Sequence, residues 1–259
     1  MDLGIKGRTA IVCASSKGLG RACAMSLAAA GAHVVINGRD AASLAKTAAD
    51  IAGAYGVKVT PIVADVGTPE GRAALLAACP QPDILVNNNS GPPLKDFRAL
   101  SHADLVAGAN ANMFTPIELI QKVIDGMVER QFGRIINITS SSVISPMAGL
   151  DLSSGARAGL TSFLAGVARQ VAHANVTINQ IMPGAFATDR LAQATVAQAK
   201  MRGVSEAEIE EARRNSIPAR RFGEADEFGQ LCAYLASAQA GYITGQSILI
   251  DGGAVNVAF

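Results

Sequence analysis

The 259-residue sequence has almost no excess of charge: 22 Lys and Arg stand against 21 Asp and Glu, a formal net charge of +1. Without a basic surplus there is nothing to neutralise nucleic-acid phosphates or an anionic membrane, so neither is an expected partner, and a small molecule in a pocket is. Cysteine and histidine are sparse and scattered. Cys13, Cys23, Cys79 and Cys232 lack CxxC spacing, which suits small buried hydrophobes in a reducing compartment better than a disulfide or zinc framework. His33, His102 and His173 show no HExxH-like pairing, and no metal is expected. Long apolar runs are missing too, so no segment reads as membrane-spanning. The stretch from Met1 to Arg8 alternates charged and small residues without the apolar core of a secretory signal; a cytoplasmic address is the expectation. Ten prolines beside 26 glycines, with 49% hydrophobic residues, exclude a disordered, collagen-like or low-complexity chain.

What is present is an alternation of short apolar runs with helical stretches. Thr9 to Cys13, His33 to Asn37, Val57 to Val63, Asp83 to Asn87, Arg134 to Thr139, Val176 to Ile181 and Ser247 to Ile250 read as strands, with Pro61 a blemish in the third. Gly18 to Ala30 reads as a buried helix, and Asp40 as the N-cap of another that runs to about Ala54. Continuous apolar strands separated by helices specify an α/β, doubly wound (Rossmann) sheet of seven parallel strands covered on both faces, in one domain. A polar helical segment from 185 to 219 interrupts the rhythm after Met182-Pro183-Gly184. Its place beyond a strand's carboxyl end predicts a lid over a ligand, the alternative being a surface helical pair.

The first strand runs into Cys13-Ala14-Ser15-Ser16-Lys17-Gly18-Leu19-Gly20, which opens a helix. Glycines at such a turn let backbone approach a diphosphate and aim helix N-terminal amides at it, although Gly18-x-Gly20 alone also fits a plain tight turn. With Asp65-Val66 after strand three, Asn87-Asn88 after strand four, Asn112 in the central helix, Ser140 after strand five, Pro183-Gly184 after strand six and Ile250-Asp251-Gly252-Gly253 at the end, the whole chain resembles the short-chain dehydrogenase/reductase family. The likeness is to bacterial members similar to 3-oxoacyl-[acyl-carrier-protein] reductases. Cys13 and Ala14 stand where the family's glycine turn carries Thr and Gly. The resemblance implies a nicotinamide nucleotide held by Ala14, Ser16, Lys17, Gly18, Leu19, Gly20, Asn37, Arg39, Asp65, Val66, Asn87, Asn88, Arg157, Pro183, Gly184 and Thr188. The second strand ends Asn37-Gly38-Arg39 with Lys17 nearby and no acid, which favours NADP over NAD, because a carboxylate there would repel a 2′-phosphate; the alternative is two solvated surface cations.

In the family a Ser polarises the carbonyl, a Tyr donates the proton, and a Lys one helical turn later holds ribose and lowers the phenol's pKa, with an Asn completing a proton relay. Alignment on Ala156 to Leu160 puts Ser153 in the Tyr slot and Arg157 in the Lys slot, while Ser140 and Asn112 fill their own slots. The chain's three tyrosines, Tyr55, Tyr234 and Tyr242, lie elsewhere. An aliphatic hydroxyl is a poor general acid, and arginine cannot relay a proton, so slow carbonyl reduction is expected unless another group serves. Asp151, at the offset where enoyl reductases of the superfamily carry their Tyr, is one candidate donor; a solvated or helix-capping Asp is the other reading. Ser140 and Asn112 also admit structural readings, a satisfied strand end and a helix-bulge amide.

Two functions follow: an NADP-dependent oxidoreductase acting on a carbonyl or alcohol, of 3-oxoacyl type, or a catalytically silent NADP-binding sensor or regulatory subunit. Double-bond reduction in the same pocket ranks third. Leu191, Val196, Met201 and Val204 in the lid suggest an apolar or acyl-bearing ligand, or mere packing. The resemblance further implies a homotetramer, in keeping with an apolar Leu160 to Val171 and an apolar tail, Ala254 to Phe259.

Overall fold

A computed structural model describes residues 2–92 and 94–257. Its strands are β1 (Thr9–Val12), β2 (His33–Gly38), β3 (Val59–Val63), β4 (Ile84–Asn87), β5 (Gly133–Ile138), β6 (Val176–Pro183) and β7 (Ser247–Ile250). All pair in parallel, in the order β3-β2-β1-β4-β5-β6-β7. The order reverses beside β1, between β2 and β4, and a doubly wound sheet opens its ligand crevice at such a point, off the carboxyl ends of the strands. β4 and β5 are buried along their whole length, which is why they read as unbroken apolar runs.

β3 starts two residues later than the pattern suggested, at Val59. It is the sheet's edge strand and only half-buried, so Pro61, paired with Ile36, costs no ladder bond on its outer side.

The helices are α1 (Gly18–Ala29), α2 (Ala41–Tyr55), α3 (Pro69–Ala78), α4 (His102–Ala109), α5 (Thr115–Glu129), α6 (Asp151–Val171), α7 (Asp189–Arg202), α8 (Glu206–Ser216) and α9 (Ala225–Leu235). They cover both faces of the sheet. One core packs α1 and α9 on one side, through Cys23, Leu27, Phe228 and Cys232; the other packs α5 and α6 on the opposite side, through Leu119, Val123, Leu160 and Leu164. All four cysteines are buried and free, as expected of small hydrophobes. Asp40 does cap α2, accepting from Ser43 N at 2.8 Å.

Residues 185–219 hold α7 and α8. Their base is pinned where Phe186 bridges Gly223, with Ala187 N donating to Gly223 O at 2.9 Å and Gly223 N to Ala185 O at 3.0 Å. Val196, Met201 and Val204 are exposed, so they are not internal packing of this segment. Among the described residues no helix is long and apolar enough to cross a membrane, and no cluster of three or more His, Cys, Asp or Glu could hold a metal. Of the apolar tail, Ala258 and Phe259 lie outside the described residues; Val257 is exposed.

Candidate active site

At the end of β1 the chain must turn sharply into α1, and Ala14 takes a left-handed φ of 44° to do so. Buried polar groups hold that turn. Asn37, at the end of β2, accepts from Ala14 N at 3.2 Å through Oδ1 and donates through Nδ2 to Ala64 O at 2.8 Å, stitching the turn to the end of β3. Ser15 Oγ donates to Val12 O and accepts from Asn37 N. Just beyond β4, Asn88 Nδ2 donates to Ala14 O at 3.0 Å. Gly20 lies beneath, where a Cβ would stand 2.8 Å from Asn88 Nδ2 and 3.1 Å from the Ala14 carbonyl carbon; no side chain fits there. Asn37 and Asn88 therefore shape the cradle with their side chains already bonded within the protein.

A cleft of about 150 Å³ opens beside this turn, lined by Ala14, Ser16, Lys17, Asn37, Arg39, Asp65 and Val66 from the expected set. Gly18, Leu19 and Gly20 form the first turn of α1 at its edge. Asn89 and Ser90 line it too, unanticipated, although they extend the polar run that begins at Asn87. Arg39 lies across the mouth, 3.8 Å from Asp65 Oδ2 and 3.5 Å from Ser90 Oγ. Asp65 also accepts from Gly67 N at 2.8 Å. With Asp40 committed to its helix, the cations at the end of β2 face no ribose-directed acid of their own strand. That donor set, with the Gly20 cradle, fits a dinucleotide bearing a 2′-phosphate.

The cleft continues past Val66 and Asn89, which line both spaces, into a narrow chamber of about 20 Å³, room for about one water, bordered by Asn87, Asn88, Asn112, Asn137, Ile138 and Arg157. Asn112 sits in a π-helical turn, Asn110–Phe114, between α4 and α5. Its Nδ2 reaches Gly108 O at 3.4 Å, while its Oδ1 and that of Asn87 have no partner within the protein. Asn87 Nδ2 donates to Asn137 Oδ1 at 2.9 Å. Two buried, unpaired acceptors facing a polar chamber suit ordered water.

On α6, Arg157 is 7% exposed. It donates through Nε to Ser153 Oγ at 3.1 Å and through Nη1 to Ile138 O, the end of β5. Burial, with the charge of Arg190 as a smaller cause, pushes its guanidinium down to about 10, so it stays a cation at neutral pH. Ser140 Oγ accepts from Ser142 N at 3.1 Å and from Ser142 Oγ at 2.9 Å, leaving its own proton free. Asp151 is exposed at the first position of α6 and accepts from Gly149 N at 3.1 Å. Gly184 N donates to Ile250 O at 2.9 Å, which docks the end of β6 on β7. Thr188, the residue before α7, points its methyl at the glycine turn, 3.8 Å from a Cβ built on Gly18.

A family model described as enoyl-(acyl carrier protein) reductase matches residues 13–255. The chain is 32% identical over 253 residues to an NADPH-dependent reductase, BacG, of Bacillus subtilis, covering 96% of this chain and 98% of that protein. It is likewise 32% identical over 257 residues to the 3-oxoacyl-[acyl-carrier-protein] reductase FabG of Pseudomonas aeruginosa, covering 97% and 98%. The chain belongs to the short-chain dehydrogenase/reductase family. Its fold superposes on L-sorbose reductase from Gluconobacter frateurii complexed with NADPH and L-sorbose, with a TM-score of 0.93 at 27% identity, over 99% of this chain and all of that one. The crystal structure of YwfH, described as an NADPH-dependent reductase involved in bacilysin biosynthesis, gives a TM-score of 0.91 at 32% identity over 97% of this chain and all of that one. As a member of this family the chain is an oxidoreductase with a nicotinamide coenzyme, and NADPH is the coenzyme named for BacG, YwfH and the L-sorbose reductase.

Within the family frame, the structure brings Asn112, Arg157, Asn87 and Asn88 together around one chamber and puts Ser153 against Arg157. Asp151 is turned to its own loop. Tyr55 ends α2 and Tyr234 lies in α9, so neither belongs to α6, where the family places its phenol.

Proposed function

We propose that this chain reduces a carbonyl group on a small ketone or acyl-bearing substrate of the 3-oxoacyl type, using NADPH. Lys17 and Arg39 would hold the 2′-phosphate, and the first turn of α1, with Thr188, would face the diphosphate. When bound, NADPH supplies the hydride. The chain's own residues do the rest. The Ser140 hydroxyl can donate a hydrogen bond to the carbonyl oxygen, keeping its own proton while polarising the carbonyl and stabilising the oxyanion that develops there. Arg157 adds a buried positive charge beneath the same region. Because Ser153 offers only an aliphatic hydroxyl, the product alcohol takes its proton from water lodged between Asn112 and Arg157, and hydroxide leaves to solvent. The segment 185–219 acts as the lid that excludes bulk water during this step.

The observation that carries this reading is the continuity of a phosphate-suited cleft with a polar chamber through Val66 and Asn89. The test is NADPH consumption on a panel of ketones and 3-oxoacyl thioesters, beside a fluorescence titration of NADPH binding. Turnover lost in Ser140→Ala with binding retained supports the reductase. Binding without any turnover makes the chain a nucleotide sensor instead. Unchanged turnover in Asp151→Asn leaves water as the proton source, and a collapse would hand that role to Asp151. A homotetramer fits the apolar side chains left exposed on the central helices, among them Leu105, Phe114 and Phe163. A light-scattering mass of one chain would refute it.

A further inference from the structure

Asn89 lines both the cleft and the chamber and has no task in the mechanism above. It stands two positions beyond β4, and both ends of its amide are spent inside the protein. Oδ1 accepts from Ser90 N at 2.8 Å, and Nδ2 donates to Ala111 O at 3.2 Å. The second bond reaches into the helical stretch that joins α4 to α5, where a carbonyl ordinarily finds its donor one turn ahead. Neither of the helical donors is available to Ala111 O. The amide four positions ahead, Thr115 N, donates instead to Asn110 O, five back, across the π-helical turn Asn110–Phe114. The residue five positions ahead is Pro116, which has no N–H. A carbonyl deprived of both needs a donor from outside its helix, and Asn89 supplies one.

The same turn sets the direction of Asn112. That side chain is 3% exposed, with Nδ2 3.4 Å from Gly108 O and Oδ1 unpaired at the chamber. A π turn carries one residue more than the α turn it replaces, and each residue winds a helix by about 100°. Thr115 N has two acceptors to choose between: Asn110 O in the open π turn and Ala111 O in a closed α turn. Closure would wind Asn112 round relative to α5 and off the chamber. While Asn89 is bonded to Ala111 O, that carbonyl has no need of the Thr115 amide, and the turn stays open.

We propose that Asn89 is a positioning residue: by donating to Ala111 O it holds the π turn open and keeps Asn112 at the chamber, where the water that protonates the product is lodged. The inference rests on the reading of the chain as an NADPH-dependent carbonyl reductase, and the experiment lets the two fail separately. Wild type, Asn89→Ala, Asn112→Ala and the double variant are compared on ethyl acetoacetate. Each single variant is expected to lower kcat about tenfold, with KM and the NADPH Kd within about twofold of wild type, because both polar ends of Asn89 are engaged within the protein. The double variant loses no more than Asn112→Ala alone, since one residue acts through the other. Losses that multiply in the double variant, or a kcat that either single variant leaves unchanged, would overturn the proposal. A loss carried by KM or by the NADPH Kd overturns it too, by assigning Asn89 to ligand contact. If wild type does not reduce ethyl acetoacetate, the reductase reading fails for this 3-oxoacyl probe, and hydrogen exchange decides the role of Asn89. Faster exchange of the amides of residues 112–115 in Asn89→Ala, with those of β4 and α9 protected as in wild type, upholds it. Exchange that is unchanged in the turn, or quickened throughout the fold, overturns it.

Discussion

Arg157 Nε donates to Ser153 Oγ at 3.1 Å, one helical turn away, in the two slots where the family pairs a lysine with a phenol. The pair is self-satisfied. The guanidinium spends its Nη1 on Ile138 O, and the serine hydroxyl is the acceptor that completes its Nε. A positioned general acid contributes about 10²–10⁴-fold, so restoring one has a measurable effect.

The Ser153→Tyr/Arg157→Lys double variant is expected to reduce ketones about a hundredfold faster than wild type. Ser153→Tyr alone should give only part of this gain, because the Arg157 cation can lower the phenol's pKa but is tied to Ile138 O and cannot relay a proton, and Arg157→Lys alone gives little because the ammonium has no phenol to activate. Initial rates of NADPH consumption for the four proteins decide it: a double variant no faster than wild type would mean that the missing phenol is not what limits turnover.

Arg39 bridges the cleft mouth between Asp65 and Ser90, yet its side chain is 69% exposed, so its interactions with the protein are weak and screened. Its value lies in a doubly charged ligand. Arg39→Ala should weaken NADPH about tenfold and leave NADH almost unchanged, since only the former carries the 2′-phosphate. Paired fluorescence titrations at one ionic strength measure the difference, and equal losses for both coenzymes would place the 2′ position elsewhere.

Ala14 stands where the family's turn carries glycine, and the fold still imposes a left-handed φ of 44° on it. A Cβ in that region costs roughly 1–2 kcal/mol. Ala14→Gly removes the clash but adds chain entropy to the unfolded state, so a net gain of about 0.5–1 kcal/mol is expected. Urea unfolding checks this: an unchanged m-value with a higher midpoint is the expected result, and a lower midpoint would show that the turn relaxes around the alanine.

The doubly wound class, the seven strands and the turn into α1 were legible in the sequence because buried parallel strands are continuous apolar runs and because the glycine turn follows the first of them. Asp40 as a cap was legible for the same local reason. The start of β3 was not, since an edge strand is only half-buried and its apolar pattern is diluted. At the site, residue types along the chain marked Ser153 and Arg157 as departures. They did not reveal that Arg157 turns inward to Ile138 O, that Ser140 leaves its proton free, or that Asn37 and Asn88 are bonded to the turn they flank. Those outcomes depend on which acceptors the sheet brings alongside.

The support for the cofactor turn carries a pH signature. α1 is packed on α9, and the first turn of α9 is tied by Glu227, which accepts from Glu224 N at 2.8 Å and from both Arg221 Nη atoms at 2.7 Å. Arg221, foremost, and the Glu224 amide hold the Glu227 carboxyl down at about 2, against an ordinary value of 4.5. A carboxylate whose pKa is depressed on folding contributes stability that is complete above its unfolded value and is lost as the pH falls through the folded one. The melting temperature of wild type should therefore exceed that of Glu227→Gln by a constant margin above about pH 5, and the margin should shrink to nothing as the pH approaches about 2. Because both side chains are half-exposed, added salt should narrow it at every pH. A margin that persists undiminished into acid would mean that Glu227 stabilises α9 by its shape and neutral hydrogen bonds, with no part played by its charge.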